Sequence, residues 1–224
     1  MFKFGIYYIP KEGKFYNLGS KLVGYDIRNE KLTTPLDNFK DAWNENAREY
    51  GFHLTLTDAV YINEDKLKEI ENTLSMTLEL FSKANKYLLE VENKPVTFWK
   101  KGGDQAALKF KLNSSVMMLH CVLASLLQTK GNGSSYSDIT SKNTREFTLD
   151  MNRKIKRFWS PYVLDEFRPH FTLINPYNGQ DYKKIEDNLN KIFKGIKSIN
   201  IESLCLVTQN GPGQPFKIYR EFNL

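Results

Sequence analysis

The sequence predicts an α+β fold in which two antiparallel sheets are flanked by helices and enclose a central cleft. Two observations lead to this prediction. Short runs of apolar and β-branched residues alternate with longer segments whose apolar residues recur every three or four positions, which are the periods of strands and helices. The order of strand, helical stretch, strand containing His-x-Thr, helix and strand also occurs twice along the chain.

The first half of the chain contains the first of these two series. Strands are expected at 2–9, around His53, at 95–100 and at 106–112, with a turn at Gly102-Gly103 between the last two. Helices are expected at 15–23, 37–49 and 64–90. The longest of them starts after Asn63 as a candidate cap, and its apolar positions are Leu67, Ile70, Leu74, Leu78, Phe81 and Leu88.

The second half repeats this order with a longer helical insert. Ser114 or Ser115 is the expected cap of a helix, the Gly/Ser-rich segment 131–138 is expected to be a loop, and a helix is expected at 143–158. A strand around His170, a helix at 181–194 and strands at 198–208 and 216–222 follow. We therefore expect residues 1–224 to form a single bilobal domain, with lobe-forming repeats at about 1–104 and 105–224.

The composition is that of a folded protein outside the membrane. Hydrophobic residues make up 41% of the 224 residues and aromatic residues 13%. No run approaches the roughly 18 apolar residues of a membrane span, and the amino terminus lacks the features of a secretory signal. We expect a cytoplasmic protein with no membrane association and no stable protein partner. Cys121 and Cys205 are expected to be free thiols, and the net charge of +6 favours anionic ligands.

Two four-residue stretches carry the chemistry that the sequence indicates. They are His53-Leu54-Thr55-Leu56 and His170-Phe171-Thr172-Leu173, and they contain two of the three histidines in the chain. Alternate residues of a strand share a face, so each strand should bury its apolar residues and present an imidazole and a hydroxyl on the other side. A cleft between two such strands is a natural ligand site.

Two imidazoles across a cleft are suited to acid–base catalysis near neutral pH. Cleavage of a phosphodiester needs one group to take a proton from the nucleophile and another to give one to the leaving oxygen. The hydroxyls of Thr55 and Thr172 would donate to phosphoryl oxygens. Metal binding is the weaker alternative, because neither His53 nor His170 has a carboxylate or cysteine partner at a recognisable spacing. No metal or other cofactor is expected.

This pair of motifs resembles the 2H phosphoesterase superfamily, which is named for two copies of His-x-Ser/Thr followed by an apolar residue. The matching positions are His53, Thr55 and Leu56, then His170, Thr172 and Leu173. The segments FGIYYIP, LGSKLVGYD and EYGFHLTL are most similar to the branch associated with phosphonate-utilisation operons. The chain differs from that branch in having Thr57-Asp58 after the first motif, where a basic residue is usual, and Pro169 before the second.

The resemblance implies a duplicated bilobal fold and metal-independent hydrolysis of a cyclic phosphate or related phosphodiester of a nucleotide, an RNA end or a phosphorylated sugar. His53 and His170 would be the catalytic acid and base, in an order that the sequence leaves open, and Thr55 and Thr172 would bind phosphate. Two alternatives use the same residues. One is an enzyme that joins RNA ends through a 2′–5′ linkage, and the other is a nucleotide-binding or RNA-binding module without turnover.

Several neighbouring residues are candidates for binding the substrate. Tyr7 should lie near the cleft, and Arg168 could hold a phosphate, although a surface salt bridge explains it equally well. Tyr177 is a candidate for stacking on a base, followed by Trp99 and Trp159. His120 lies in an apolar helical run and is expected to be packed or partly exposed rather than catalytic. The basic helix face at 153–157 is expected to be solvated, with steering of RNA as the alternative.

Overall fold

The computed structural model describes residues 2–81, 87–99, 105–141 and 147–224, and it has the predicted mixture of helices and antiparallel strands. Its strands are β1 (Lys3–Tyr8), β2 (Tyr25–Asp26), β3 (Lys31–Leu32), β4 (Leu54–Tyr61), β5 (Leu88–Trp99), β6 (Gln105–Phe110), β7 (His170–Ile174), β8 (Ser198–Asn200), β9 (Ser203–Gln209) and β10 (Lys217–Asn223). Its helices are α1 (Lys14–Val23), α2 (Glu45–Arg48), α3 (Leu67–Phe81), α4 (Ser114–Leu126), α5 (Ser135–Ser141), α6 (Leu149–Phe158) and α7 (Tyr182–Ile192). The α+β prediction is confirmed.

Eight of the described strands form one hydrogen-bonded sheet in the order β10-β9-β1-β4-β7-β6-β5-β8, and every neighbouring pair in it is antiparallel. Strands β2 and β3 form a separate small sheet. The order divides into two groups of four strands, which meet where Leu54 of β4 pairs with Phe171 of β7. The two strands with His-x-Thr sequences are therefore neighbours at the centre.

The two groups of strands are not contiguous in sequence. Strand β5 precedes the expected repeat boundary at residues 104 and 105, yet it pairs with β6 and β8 in the group that contains β7. Strands β9 and β10 come from the carboxyl end of the chain, yet they pair beside β1. The organisation as one bilobal domain stays a prediction.

Aromatic packing covers one face of the two central strands. Phe52 stacks on Phe171 with ring centroids 4.5 Å apart, and Phe15 of α1 meets both rings edge-on at 5.1 and 5.3 Å. Helix α1 approaches this cluster closely at Gly19, where an added Cβ would lie 2.3 Å from the Phe52 ring. The helix thereby restricts the position of Phe52, which directly precedes His53 in the sequence.

The helix expected at 64–90 is shorter than its apolar spacing indicates. A 3₁₀ turn at Glu64–Lys66 leads into α3, which the structure describes as far as Phe81, and residues 82–86 lie outside the described residues. The expectation is wrong at Leu88, which begins β5 and pairs with Asn200 of β8. Leu88 fits the helical spacing, but it is 46% exposed and its backbone belongs to the sheet.

Other boundaries also differ from the expected ones. Asn113, rather than Ser114 or Ser115, caps α4 by accepting the Val116 N–H at 2.9 Å. The expected loop at 131–138 contains the start of α5, and the helix expected at 37–49 is reduced to a 3₁₀ turn at Asp41–Asn44 followed by α2. Helix α6 begins at Leu149 with Thr148 as its cap. Residues 143–146 of that expected helix, Lys100 and the Gly102-Gly103 turn lie outside the described residues.

Both cysteines are free thiols, as predicted: Cys205 is buried in β9 and Cys121 is partly exposed on α4. Among the described residues, no helix has the length and apolar character needed to span a membrane.

Candidate active site

The strand register places the four motif residues on one face of the sheet. Leu54 and Phe171 are paired and fully buried. Continuing the antiparallel ladder from this pair sets His53 opposite Thr172 and Thr55 opposite His170, with all four side chains on the face away from the aromatic cluster. All four are partly exposed, whereas Leu54, Leu56, Phe171 and Leu173 are buried.

The two imidazoles are held by the same kind of hydrogen bond. His53 Nδ1 lies 2.9 Å from the carbonyl oxygen of Gly51, and His170 Nδ1 lies 2.8 Å from that of Arg168. In each case the acceptor is the carbonyl two residues earlier in the chain. A carbonyl oxygen only accepts, so Nδ1 carries the proton and Nε2 of each neutral ring carries the lone pair.

The two Nε2 atoms are the ones available for proton transfer. The Thr55 hydroxyl donates to His53 Nε2 at 3.0 Å. No hydrogen bond within the described parts of the chain engages Nε2 of His170. A ligand placed between the strands would therefore meet one imidazole nitrogen directly and reach the other by displacing a threonine hydroxyl.

Burial controls the protonation of both histidines. It lowers the pKa of His53 to about 4, against the opposing hydrogen bond to Gly51, and the nearby His170 lowers that pKa further. Burial likewise lowers the pKa of His170, opposed by its hydrogen bond to the Arg168 carbonyl. Both side chains still contact solvent. Side chains that are surrounded by protein and yet accessible to water lie in a concave surface.

Aromatic rings flank His53 on this face. Tyr7 of β1 pairs with Thr55 and stacks on the imidazole of His53, with centroids 4.0 Å apart and planes 21° apart. Tyr50 lies 6.2 Å from the same imidazole. Burial raises the pKa of Tyr7 well above its ordinary value of 10, so its hydroxyl stays protonated. The structure thus brings Tyr7 next to the proposed catalytic group.

A small cavity opens beside His170. We call it the Trp99 pocket, and its lining residues are Glu92, Trp99, Lys109, Arg168 and Pro169. The Trp99 ring meets the His170 imidazole edge-on at 4.5 Å. Arg168 therefore lies near the site. Its Nη1 donates to the carbonyls of Asp165 and Phe167 at 2.5 and 2.8 Å, and no ion pair of the described residues includes it.

Tyr177 lies away from this face. It is 4% exposed and packs against Trp43, Phe98 and Tyr182. Phe98 pairs with Ala106, whereas the neighbouring Thr97 pairs with Ala107, the partner of Thr172. Because successive residues of a strand point to opposite faces, Phe98 and Tyr177 lie on the face opposite Thr172. The structure does not bring Tyr177 to the motif residues.

His120 is packed in the interior, which is one of the two placements expected for it. It is 1% exposed, its Nδ1 donates to the Leu56 carbonyl at 2.7 Å, and its Nε2 accepts the Leu164 N–H at 2.9 Å. Both ring nitrogens are thus used structurally.

The basic helix face at 153–157 has mixed roles. Arg153, Lys156 and Arg157 are exposed. Lys154 is buried between the carboxylates of Asp150 and Asp165, at 2.8 and 2.6 Å. One of its four basic residues therefore belongs to the structure of α6 and the following loop.

Three further side chains that the sequence did not indicate as functional lie near the site: Lys109, Glu92 and Asp58. Lys109 pairs directly with His170 across β6 and β7, and its ammonium contacts Glu92 at 3.0 Å. Asp58 follows the first motif, accepts a hydrogen bond from Ser160, and has its pKa raised by burial. Lys109 could have been noticed, because it is a charged residue within the otherwise apolar run AALKF of a central strand.

Comparisons with known proteins give few matches. A family model described as "Protein of unknown function (DUF1045)" matches residues 125–217, which is less than half of the chain. No curated protein matches.

Two solved structures are similar over almost the whole chain. One is E. coli LigT complexed with NADP+, with a TM-score of 0.42 and 11% identity over 99% of this chain and 96% of LigT. The other is Kluyveromyces marxianus Usb1, with a TM-score of 0.44 and 10% identity over 100% of this chain and 98% of Usb1. Because both TM-scores are below 0.5, this similarity says nothing about activity.

Proposed function

We propose that this protein is a 2H-type phosphoesterase, which hydrolyses a cyclic phosphate or related phosphodiester by two-histidine acid–base catalysis. The observation that carries the proposal is the matched anchoring of His53 and His170. Each Nδ1 donates to the carbonyl two residues earlier, and both imidazoles share one face of two paired strands. His120, in contrast, binds backbone groups through both ring nitrogens. At Nε2, His53 contacts a threonine hydroxyl and His170 has no hydrogen bond among the described residues.

In the proposed reaction one Nε2 takes a proton from the attacking water. The new bond forms between the water oxygen and phosphorus while the bond from phosphorus to the leaving oxygen breaks. The other histidine, protonated at Nε2, gives its proton to that oxygen. A cyclic phosphate gives one product with a phosphomonoester and a free hydroxyl, whereas an acyclic phosphodiester gives a phosphomonoester and a separate alcohol. In both cases the two histidines have exchanged protonation states.

The threonines would stabilise the charge that develops on the phosphoryl oxygens. Thr172 lies opposite His53 in the continued ladder, and its strand partner on the other side is Ala107, whose small side chain leaves space beside it. Thr55 would turn its hydroxyl from His53 Nε2 to a phosphoryl oxygen when substrate binds. That movement would free the imidazole nitrogen as it places a donor on the phosphate.

Acid–base chemistry of this kind supplies each proton transfer without a metal. Among the described residues there is no group of three or more His, Cys, Asp or Glu side chains that could hold a metal ion. Because the two imidazoles can carry out both proton transfers, we propose that turnover is metal-independent.

The test is a substrate panel assayed in EDTA. It contains 2′,3′-cyclic nucleotides, RNA ending in a cyclic phosphate, 2′–5′ dinucleotides and ribose cyclic phosphates. Turnover that survives EDTA and is lost in both His53→Ala and His170→Ala would support the proposal. Binding of these compounds without turnover would favour the nucleotide-binding or RNA-binding module, and a requirement for added divalent metal would refute the mechanism.

A further inference from the structure

The Trp99 pocket adjoins the proposed catalytic face. Lys109 is the direct cross-strand partner of His170, on the side away from Thr55, and Trp99 contacts the His170 imidazole. A substrate whose scissile phosphate lies between the two histidines, with its remainder directed past His170, would reach this pocket. The pocket is therefore placed to contact a second part of the same substrate.

The size of the pocket limits what it can hold. Its volume is about 220 Å³, whereas cavities that enclose a whole small ligand have roughly 300–1,000 Å³. It is therefore suited to one substituent of the substrate, such as a phosphate, rather than to a complete nucleotide.

The charges of the lining select the kind of substituent. Among the described residues of the lining, Lys109 and Arg168 are cationic and Glu92 is anionic. The Lys109 side chain is 17% exposed and is held by Glu92 at 3.0 Å. An ammonium has three N–H donors, so this contact leaves donors for a ligand. A phosphate, unlike an uncharged base, would accept charge-assisted hydrogen bonds and also offset the excess positive charge of the lining.

Arg168 is held in a way that leaves part of its guanidinium for a ligand. Both of its hydrogen bonds among the described residues start at Nη1 and end on carbonyls of its own loop. These bonds fix the orientation of the planar group at the rim. Nη2 and Nε remain as a pair of donors, which is the arrangement that binds a phosphate through two parallel hydrogen bonds.

We propose that the Trp99 pocket binds a second phosphate of the substrate, distinct from the one that is cleaved, through Lys109 and Arg168. This inference rests on the proposed function of the neighbouring histidines. The second phosphate has two possible sources, the terminal phosphate of a mononucleotide and the internucleotide phosphate of an RNA end. The chemistry of recognition is the same for both.

The test compares three substrates in EDTA: a 2′,3′-cyclic nucleoside monophosphate, the same compound carrying a 5′-phosphate, and a dinucleotide ending in a 2′,3′-cyclic phosphate. The second phosphate is expected to raise kcat/KM about tenfold, as a charge-assisted contact at a partly exposed site would. A gain with the 5′-phosphate identifies a mononucleotide substrate, and a gain with the dinucleotide alone identifies an RNA end. Equal kcat/KM for all three substrates would overturn the inference.

Variants test whether the pocket causes this preference. Lys109→Gln, alone and combined with Glu92→Gln, is expected to reduce the increase in kcat/KM caused by the second phosphate (the gain) to less than about twofold. Glu92→Gln alone should increase the gain, because it removes the anionic residue of the lining. Lys217→Gln is the matched control, since Lys217 lies on β10, at the far edge of the sheet, and makes a similar ion pair with Glu30. If Lys109→Gln lowered kcat/KM equally for all three substrates, its role would be structural and the inference would be wrong.

A binding measurement separates failure of the inference from failure of the proposed function. If no substrate is turned over, the proposed function fails, and calorimetry with adenosine 3′-phosphate and adenosine 3′,5′-bisphosphate then decides on the pocket. Tighter binding of the bisphosphate that Lys109→Gln abolishes and Lys217→Gln preserves would support a phosphate site. Equal affinity for the two nucleotides would overturn it.

Discussion

Leu54 pairs with Phe171, and in the described parts of the chain this Cα pair joins the two groups of four strands. Both side chains are fully buried on the aromatic face. A slip of one residue between these strands would turn His53 or His170 toward that interior, because side chains alternate between faces. The shared histidine face therefore depends on burial of the residues that separate each histidine from its threonine.

Replacing either proposed catalytic histidine should abolish most of the activity. His53→Ala and His170→Ala are each expected to lower kcat by roughly 10²–10⁴-fold, because each removes one of the two proton transfers. The double variant should lose little more than the worse single variant, since the two groups act as a unit. Single-turnover kinetics on correctly folded protein measures this. Additive losses would show that the two imidazoles do not act in one step.

His120 should give the opposite result. It is 1% exposed and bonded at both ring nitrogens, so His120→Ala is expected to lower the free energy of unfolding by about 2–4 kcal/mol. The kcat of the folded fraction should be retained. Urea unfolding and active-site titration of the same sample separate the two effects. A loss of kcat like that of His53→Ala would place His120 in the reaction.

The pH dependence of stability provides a second test of His120. Burial lowers its pKa to about 4 in the folded state, below the value of about 6.5 expected in the unfolded chain. The unfolded state therefore binds one more proton in this interval, and stability falls as the pH drops from 6.5 toward 4. In His120→Ala, the slope of the free energy of unfolding against pH should decrease in this interval by up to about 1.4 kcal/mol per pH unit. An unchanged slope would contradict burial of a neutral His120.

The activity itself should have an acidic optimum. The pKa of His53 is lowered to about 4, and that of His170 lies below its ordinary value of 6.5. With neutral His53 as the base and protonated His170 as the acid, kcat/KM should fall below about pH 4 and again as the pH rises through the pKa of His170. A plot of kcat/KM against pH reports these free-enzyme groups. Maximal kcat/KM above pH 8 would exclude this pair.

Loss of a threonine hydroxyl should slow the reaction without unfolding the protein. Thr55→Val and Thr172→Val keep the branched shape that strands favour and remove one donor to the phosphoryl oxygens. We expect a fall in kcat of roughly 10²-fold for each. Thr208→Val on β9 makes the same change away from the site and is the control. Unchanged kcat in both motif variants would show that the threonines serve only the strands.

The elements that could be predicted from the sequence are those whose side-chain pattern follows mainly from burial of one face. Strand period and burial agree over Leu54–Leu56 of β4 and His170–Leu173 of β7, and helix α1 spans Lys14–Val23 where 15–23 was predicted. The predicted helix was wrong at Leu88 because a single leucine can match a helical spacing by chance. Its strand partner, Asn200, lies more than a hundred residues away in the sequence. Local periodicity contains no information on such pairing.

The same limit applies to the candidate site. Residues within each motif could be assigned to one face from the strand period alone. The place of Lys109 beside His170 depends on the pairing of β6 with β7, and that of Tyr177 depends on a buried aromatic cluster between distant segments. Both are consequences of tertiary packing. The residues that would select a substrate are therefore harder to predict than those that would carry out the reaction.

Helix α1 contacts the residue before the first motif through Gly19, which lies against the Phe52 ring. A Cβ at Gly19 would lie 2.3–2.4 Å from three atoms of the Phe52 ring, so Gly19→Ala forces Phe52, and with it His53, to move. We expect a loss of about 1–3 kcal/mol in the free energy of unfolding together with a fall in kcat. Gly195→Ala is the control, because Gly195 is exposed and no atom lies within 4 Å of its added Cβ. Thermal unfolding and steady-state kinetics of both variants measure the two effects. Loss of stability with unchanged kcat would show that the position of His53 is independent of its contact with α1.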